Sequence, residues 1–164
     1  MTSPANTLLY ATELSDGSAY SLGYALRIAD SLDARLHVLH VLEPLSEEAR
    51  LTIRSFMSDP AAQDRALHGR KQMALERMRD RQAEFWRTAG PEMAGLEHRL
   101  AQSEVIEGFP AEVILDRARS LPADLILMGS HEHGLSHTFL GQVAKRVLRR
   151  SRLPTLIIPY PEDP

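Results

Sequence analysis

The sequence predicts an α/β protein in which strands and helices alternate around a parallel sheet. Two short runs, Arg35 to Leu42 and Leu125 to Met128, are apolar at odd and even positions alike. Such runs are typical of strands that helices cover on both faces. Gly129 ends the second run, and the segments between the strands carry apolar residues at helical spacing. Strands joined in this way favour a parallel sheet wound by right-handed crossovers.

The first part of the chain predicts two strands with a helix between them. Thr7 to Thr12 is short and mostly apolar, and we interpret it as the first strand. Ser15, with the polar residues just after it, is of a type that commonly begins helices, and apolar residues then recur at helical spacing as far as Leu32. Pro44 ends the second strand, Arg35 to Leu42.

A helical insert is predicted between the second and third strands, from about residue 47 to residue 95. Glu47 to Met57 predicts a short helix, and Asp59-Pro60 predicts a break after it. Ala61 to Arg87 is rich in good helix formers and predicts one long helix, which Gly90-Pro91 closes. We interpret the insert as part of one domain that spans residues 1–164.

The second part of the chain predicts three more strands. Leu96 to Ile106 is polar enough to lie near a sheet edge, and Pro110 suits the first position of the helix that follows it. Asp124 to Met128 predicts a buried strand, Phe139 to Arg150 predicts a helix, and Pro154 to Ile158 predicts the last strand.

Composition and charge exclude several classes of protein. The 164 residues carry a formal net charge of -3, with a pI of about 6.2, and include no cysteine. These values argue against a nucleic-acid partner, a membrane partner, a disulfide scaffold and a thiolate site. Because no apolar segment is long enough to span a bilayer and the N-terminus lacks a basic region, we expect a cytoplasmic protein.

Histidines cluster in the segment after Gly129. His131, His133 and His137 are the weak candidates for a metal site, but their spacing matches no established zinc pattern. We therefore predict no metal and interpret the segment as a polar loop. For His37 and His40, on opposite faces of the second strand, we expect hydrogen-bonded positions in the core.

Four segments resemble the universal stress protein family. They are LLYATELSDGS, LHVLHVLEP, EGFPAEVILDRA and DLILMGSHEHG…LGQVAKRVLRRSRLPTLIIP, and together they cover nearly the whole chain apart from the insert. The resemblance implies a five-stranded sheet in the order 3-2-1-4-5 and a homodimer that pairs the final strands. It also implies a stress-linked regulatory or protective role, usually without established catalysis.

Members of this family that bind ATP carry Gly-x2-Gly-x9-Gly-Ser/Thr after the fourth strand. Here Gly129 fits the first glycine, Glu132 replaces the second, and only eight residues separate Glu132 from Gly141. Gln142 replaces the hydroxyl residue, and Glu13 stands where the family usually has Asp. The Glu132 carboxylate would repel a triphosphate, whereas free N–H groups near Gly141 would attract it.

The resemblance also implies which residues would contact a nucleotide. No cofactor is obligatory, and the ligand would be ATP or another adenine nucleotide, with Mg²⁺. Glu13 and the backbone of Val41 would face ribose and adenine, and Met128 and Gly129 would line the base and sugar. The phosphates would meet Ser130, His131, Gly141, Gln142 and Val143.

Two alternatives to nucleotide binding stay open. The first is a nucleotide-free interaction module with an unidentified protein partner, dimeric through the apolar, proline-bounded last strand, Thr155, Leu156, Ile157 and Ile158. The second is a slow or metal-assisted ATP hydrolase, for which Glu13 and Glu132 are the candidate bases. We favour a role without catalysis.

Overall fold

Five parallel strands form the central sheet in the computed structural model, which describes residues 6–130 and 140–160. The strands are β1 (Thr7–Thr12), β2 (Arg35–Leu42), β3 (Leu100–Glu107), β4 (Leu125–Gly129) and β5 (Thr155–Ile158). Their order is β3-β2-β1-β4-β5, and every neighbouring pair is parallel. This confirms the predicted α/β class, the strand order 3-2-1-4-5 and the edge position of β3.

Helices cover both faces of the sheet. They are α1 (Ser18–Ser31), α2 (Glu47–Phe56), α3 (Pro60–His68), α4 (Arg70–Thr88), α5 (Pro110–Ser120) and α6 (Gln142–Arg150). Helices α1 and α4 share one hydrophobic cluster with the sheet, whereas α5 and α6 share the other. The chain is therefore doubly wound, with α2, α3 and α4 forming the predicted insert between β2 and β3.

Strand β1 lies at the centre of the sheet and is buried on both faces. Leu8 and Tyr10 pack into the cluster of α1 and α4, and Leu9 and Ala11 pack into that of α5 and α6. Because side chains of a strand alternate between the two faces, burial on both faces requires apolar residues at consecutive positions. This is the physical reason for the apolar runs in the sequence.

The insert differs from its prediction. The single helix predicted from Ala61 to Arg87 is two helices, α3 and α4, that meet at Gly69. The side chain of Asp59 accepts hydrogen bonds from the first amides of α3 and so sets where that helix begins. Neither α2 nor α3 has a buried residue, whereas α4 buries Met78 and Phe85 against the domain.

Two element boundaries were also wrong. Strand β3 begins at Leu100 and not at Leu96, because Leu96–Arg99 form a 3-10 turn after Gly95, whose φ of 81° is left-handed. Helix α6 begins at Gln142, because Gly141 before it is extended. The predicted start of this helix, Phe139, lies outside the described residues.

The paired strands β4 and β5 offer a matched test of the core. Leu127 and Leu156 are register partners, but Leu127 is 0% exposed and Leu156 is 40% exposed. We predict that Leu127→Ala lowers the free energy of unfolding by about 2–5 kcal/mol, and that Leu156→Ala lowers it by less than about 1 kcal/mol. Urea denaturation measures both. Equal losses would contradict the burial difference between the two strands.

Candidate functional site

A crevice opens at the carboxyl ends of β1 and β4, where helix α1 leaves on one face of the sheet and α6 on the other. Its volume is about 630 Å³, inside the range of roughly 300–1,000 Å³ that small-molecule sites occupy. This is the topological switch point of the sheet, where open α/β proteins commonly bind ligands.

The crevice brings together most of the candidate residues from the sequence. Those that line it are Glu13, Val41, Met128, Gly129, Ser130, Gly141, Gln142 and Val143. They come from the ends of three strands and from the start of α6, so separate parts of the sequence converge on one volume. The ninth candidate, His131, lies outside the described residues.

The start of α6 forms the electropositive side of the crevice. Among residues 6–130 and 140–160, no side chain caps this helix, and its first turn holds no acidic residue. Within these residues its first amides therefore have unused N–H groups at the positive end of the helix dipole. Lys145, one turn further along, also lines the crevice. This side is suited to a phosphate or another anion.

The end of β1 supplies a carboxylate. Leu14 is buried with a left-handed φ of 58°, and its amide donates a hydrogen bond of 3.2 Å to the Thr12 hydroxyl. This conformation, which costs a non-glycine residue about 1–2 kcal/mol, turns the chain so that Glu13 lines the crevice. The His40 Nδ1 donates to the Thr12 carbonyl at 2.8 Å and joins the ends of β1 and β2.

Tyr160 closes the crevice on the side of α1. Its backbone N–H donates to the Ser130 hydroxyl at 2.9 Å, and its own hydroxyl lies 3.0 Å from the Ser15 hydroxyl. A Cβ added to Gly17 would lie 1.5 Å from the Tyr160 ring, although the φ of Gly17, -78°, suits any residue. The constraint at position 17 is therefore space and not backbone conformation, because a methyl group there would displace the Tyr160 ring.

This contact corrects the interpretation of Ser15 as a helix cap. The residue before α1 is Gly17, and no side chain caps that helix. The Ser15 hydroxyl contacts Tyr160 instead, and the Ser15 carbonyl accepts hydrogen bonds from Ser18.

The floor of the crevice is neutral. Burial raises the pKa of Tyr10 well above its usual range; the neighbouring Tyr160 phenol also raises it, while a hydrogen bond with Thr12 acts in the opposite direction. Tyr10 therefore stays protonated, and its hydroxyl donates to the Ser18 carbonyl at 3.2 Å. The formal charges of the described lining belong to Glu13, Glu43 and Lys145.

The expectation of a hydrogen-bonded position holds for one of the two histidines of β2 and not for the other. The expectation of a hydrogen-bonded His40 is confirmed by its bond to the Thr12 carbonyl. For His37 it was wrong, because its buried Nδ1 has no hydrogen-bond partner in residues 6–130 and 140–160. Burial lowers the pKa of His37, and the nearby Arg117 guanidinium acts in the same direction.

Among the lining residues that the sequence did not nominate, Lys145 and Tyr160 were missed for different reasons. Lys145 begins a basic stretch of the sequence that is typical of a solvated helix face. Its spacing of four from Gly141 places both residues on one side of α6 and was a usable signal. Tyr160 carries no local signal, because its contact with Ser15 joins residues 145 positions apart.

Within the described ranges, no group of three or more His, Asp or Glu residues is placed to hold a metal ion. The weak metal candidates His131, His133 and His137 lie outside those ranges. In the same ranges, the helices are all too short or too polar to cross a membrane.

Comparison with known proteins points to one family. The model of the universal stress protein family matches residues 5–159. The universal stress protein YxiE of Bacillus subtilis is 30% identical over 161 residues, which cover 93% of this chain and 98% of that protein.

Solved structures share the fold. The universal stress protein UspA from Lactobacillus plantarum superimposes with a TM-score of 0.66 at 22% identity, over 96% of this chain and 99% of that one. A universal stress protein in complex with cAMP superimposes with a TM-score of 0.60 at 21% identity, over 95% and 98% of the two chains.

The contact between Tyr160 and Gly17 can be tested by a double-mutant cycle. We predict that Gly17→Ala destabilises the protein while the Tyr160 ring is present, because the new methyl group meets that ring. In a Tyr160→Ala background the same change should be neutral, or stabilising by about 0.4–1 kcal/mol, because alanine restricts the unfolded chain. The coupling should exceed about 1 kcal/mol in urea denaturation.

Tyr160→Phe serves as the control for this cycle, because it keeps the ring and removes only the hydroxyl. Gly17→Ala should remain destabilising in that background. An equal effect of Gly17→Ala in all three backgrounds would show that the ring does not cover position 17.

Proposed function

This chain belongs to the universal stress protein family, and on that premise we propose that it is a stress-response regulatory or protective protein that binds an adenine nucleotide in the crevice. The observation that carries the proposal is the convergence of β1, β4 and the start of α6 on one volume of about 630 Å³. A structural neighbour was solved with cAMP bound, which supports an adenine nucleotide as the ligand class.

The chemistry of the lining orients the ligand in this proposal. Adenine and ribose lie toward Val41, Met128 and Glu13, where apolar surface is available for the base and a carboxylate can accept hydrogen bonds from ribose hydroxyls. The phosphates lie toward the N-terminus of α6 and Lys145, where free N–H groups and a positive charge favour anions. Mg²⁺ would accompany a di- or triphosphate.

We propose binding and not hydrolysis. The hydrolase hypothesis had Glu13 and Glu132 as candidate bases and the histidines at 131, 133 and 137 as candidate metal ligands. Of these only Glu13 lies in the described residues, where it lines the crevice with neither the second candidate base nor a group of metal-binding side chains described beside it. The geometry therefore adds no argument for catalysis, whereas the crevice gives a direct argument for binding.

Isothermal titration with AMP, cAMP, ADP and ATP, with and without Mg²⁺, tests the proposal. We predict saturable binding of at least one of them, and an affinity about tenfold lower in Glu13→Ala, because a hydrogen bond to a charged acceptor is lost.

Glu97→Ala is the control for the loss of one negative charge. Glu97 lies before the amino end of β3, whereas the crevice lies at the carboxyl ends of the strands. This variant should bind as the wild type does. Absence of heat and of thermal stabilisation with all four nucleotides at millimolar concentration would refute nucleotide binding.

One observation favours a second candidate function, a dimeric interaction module. Strand β5 ends the sheet, and Leu156 on it is 40% exposed. The carbonyls of Pro154 and Ile158 accept hydrogen bonds from β4, so alternation along the strand directs the N–H and C=O groups of Thr155 and Ile157 outward. An edge with outward backbone groups is suited to pairing with a second copy.

Sedimentation equilibrium tests pairing through β5. We predict a dimer mass for the wild type and a monomer mass for Ile157→Pro, which removes one outward N–H and leaves the bonds to β4 intact. Ile157→Val keeps that N–H and should stay dimeric. A monomer mass for the wild type at all concentrations, or a dimer mass for Ile157→Pro, would exclude this interface.

A further inference from the structure

A second cavity, of about 290 Å³, lies between the helical insert and the carboxyl end of β3. We call it the basic pocket, and it is lined by Arg50, Arg54, Leu67, His68, Arg70, Lys71 and Glu107. We propose that the basic pocket binds the phosphate group of a small phosphorylated molecule. This site is separate from the crevice at β1 and β4 and does not depend on nucleotide binding there.

The charges of the basic pocket are unbalanced. Four permanently cationic side chains face one carboxylate, that of Glu107, which leaves a formal excess of three positive charges in a protein of net charge -3. Among the residues that the structure describes, none places a carboxylate within 4.0 Å of Arg50, Arg54 or Lys71. Arg50 and Arg54 are also four residues apart on α2, a spacing at which like charges repel.

Several arginines outside the basic pocket are, by contrast, neutralised within the protein. Arg81 pairs with Asp16 at 2.8 Å, and Arg117 pairs with Glu104. Arg99 bridges Asp30 and Asp33 at 3.0 and 2.6 Å. Arg65, Arg77 and Arg79 on α3 and α4 also have no carboxylate partner among the described residues. The basic pocket therefore differs in that four cations converge on one cavity, where a bound anion would supply the counter-charge.

The junction of α3 and α4 brings two of the cations together. Arg70 and Lys71 are the first two residues of α4, and Gly69, which has helical dihedral angles, both ends α3 and precedes α4. Because the negative end of α3 lies next to the positive end of α4, the two helix dipoles offset each other, and the positive potential of the basic pocket comes from its side chains.

The basic pocket is anchored to the sheet. The Arg70 guanidinium donates to the Glu43 carbonyl at 3.0 Å, and Glu43 also lines the crevice. Opposite Arg70, helix α2 has no buried residue and contributes Arg50 and Arg54. An anion held by Arg70 and by the two arginines of α2 would tie α2 to α4 by charge.

The chemical class of the ligand follows from the side chains that line the basic pocket and from the volume of the pocket. An arginine guanidinium presents paired N–H groups, which can donate to two oxygens of the same phosphate group. A volume of about 290 Å³ is at the lower end of small-molecule sites and fits one or two phosphate groups. A nucleic-acid strand is not favoured, because such sites stack bases on aromatic side chains and none lines this pocket.

Titration of the full-length protein with inorganic pyrophosphate, followed by backbone NMR, tests the proposal. We expect saturable shifts at Arg70 and Lys71, and at least a tenfold loss of affinity in Arg50→Gln/Arg54→Gln. The matched control is Arg65→Gln/Arg79→Gln, which removes the same charge from exposed positions on α3 and α4 that do not line the basic pocket. This control should bind within twofold of the wild type.

Several results would overturn the proposal. They are the absence of binding at millimolar pyrophosphate, equal losses in the two double variants, and shifts confined to Gly141–Val143 in the crevice. Citrate serves as the carboxylate probe, and binding of citrate without binding of pyrophosphate would also overturn the phosphate assignment. None of these outcomes depends on whether adenine nucleotides bind in the crevice, which the calorimetry tests separately.

Discussion

The position of β1 between β2 and β4 is the constraint on which the rest of the structure depends. The chain runs from β1 to one edge of the sheet through α1 and the insert, and then returns to β4 and β5 on the other side. Helices α1 and α4 cover one face of the sheet, and α5 and α6 cover the other. Helices α1 and α6 therefore diverge where β1 and β4 end. The close approach of α1 to β4 leaves no room for a side chain at position 129, where a Cβ would lie 2.8 Å from the Ser21 hydroxyl.

Both candidate sites lie where strands end at their carboxyl side, and both present positive charge. In the crevice this charge is that of the N-terminus of α6 and Lys145, whereas in the basic pocket it is that of four cationic side chains. The difference lies in their apolar surface. The crevice offers Val41 and Met128 to a flat base, whereas the basic pocket offers mainly charge. The first is therefore suited to a nucleotide and the second to a phosphate group alone.

Tyr160 links the last segment of the chain to the first loop. Its N–H bonds to Ser130 and its hydroxyl contacts Ser15, so the ends of β4 and β1 are joined above a neutral Tyr10. A wall formed by a hydrogen-bonded tyrosine keeps the α1 side of the crevice uncharged. In the proposed complex, negative groups of the ligand would lie on the opposite side, where α6 begins.

The strands, the helices that flank the sheet and the convergence of the site segments could be predicted from the sequence. Double-sided burial demands consecutive apolar residues in Arg35 to Leu42 and Leu125 to Met128, and a strand that ends at Gly129 before a helix marks the edge where ligands bind. How the crevice is closed, and where charge collects outside it, depend on the tertiary structure. Tyr160 lies against Gly17, and Arg50 and Arg70 line one cavity, and both arrangements require contacts between distant parts of the chain. Local periodicity cannot encode such contacts, because they depend on how the packed elements are placed in space.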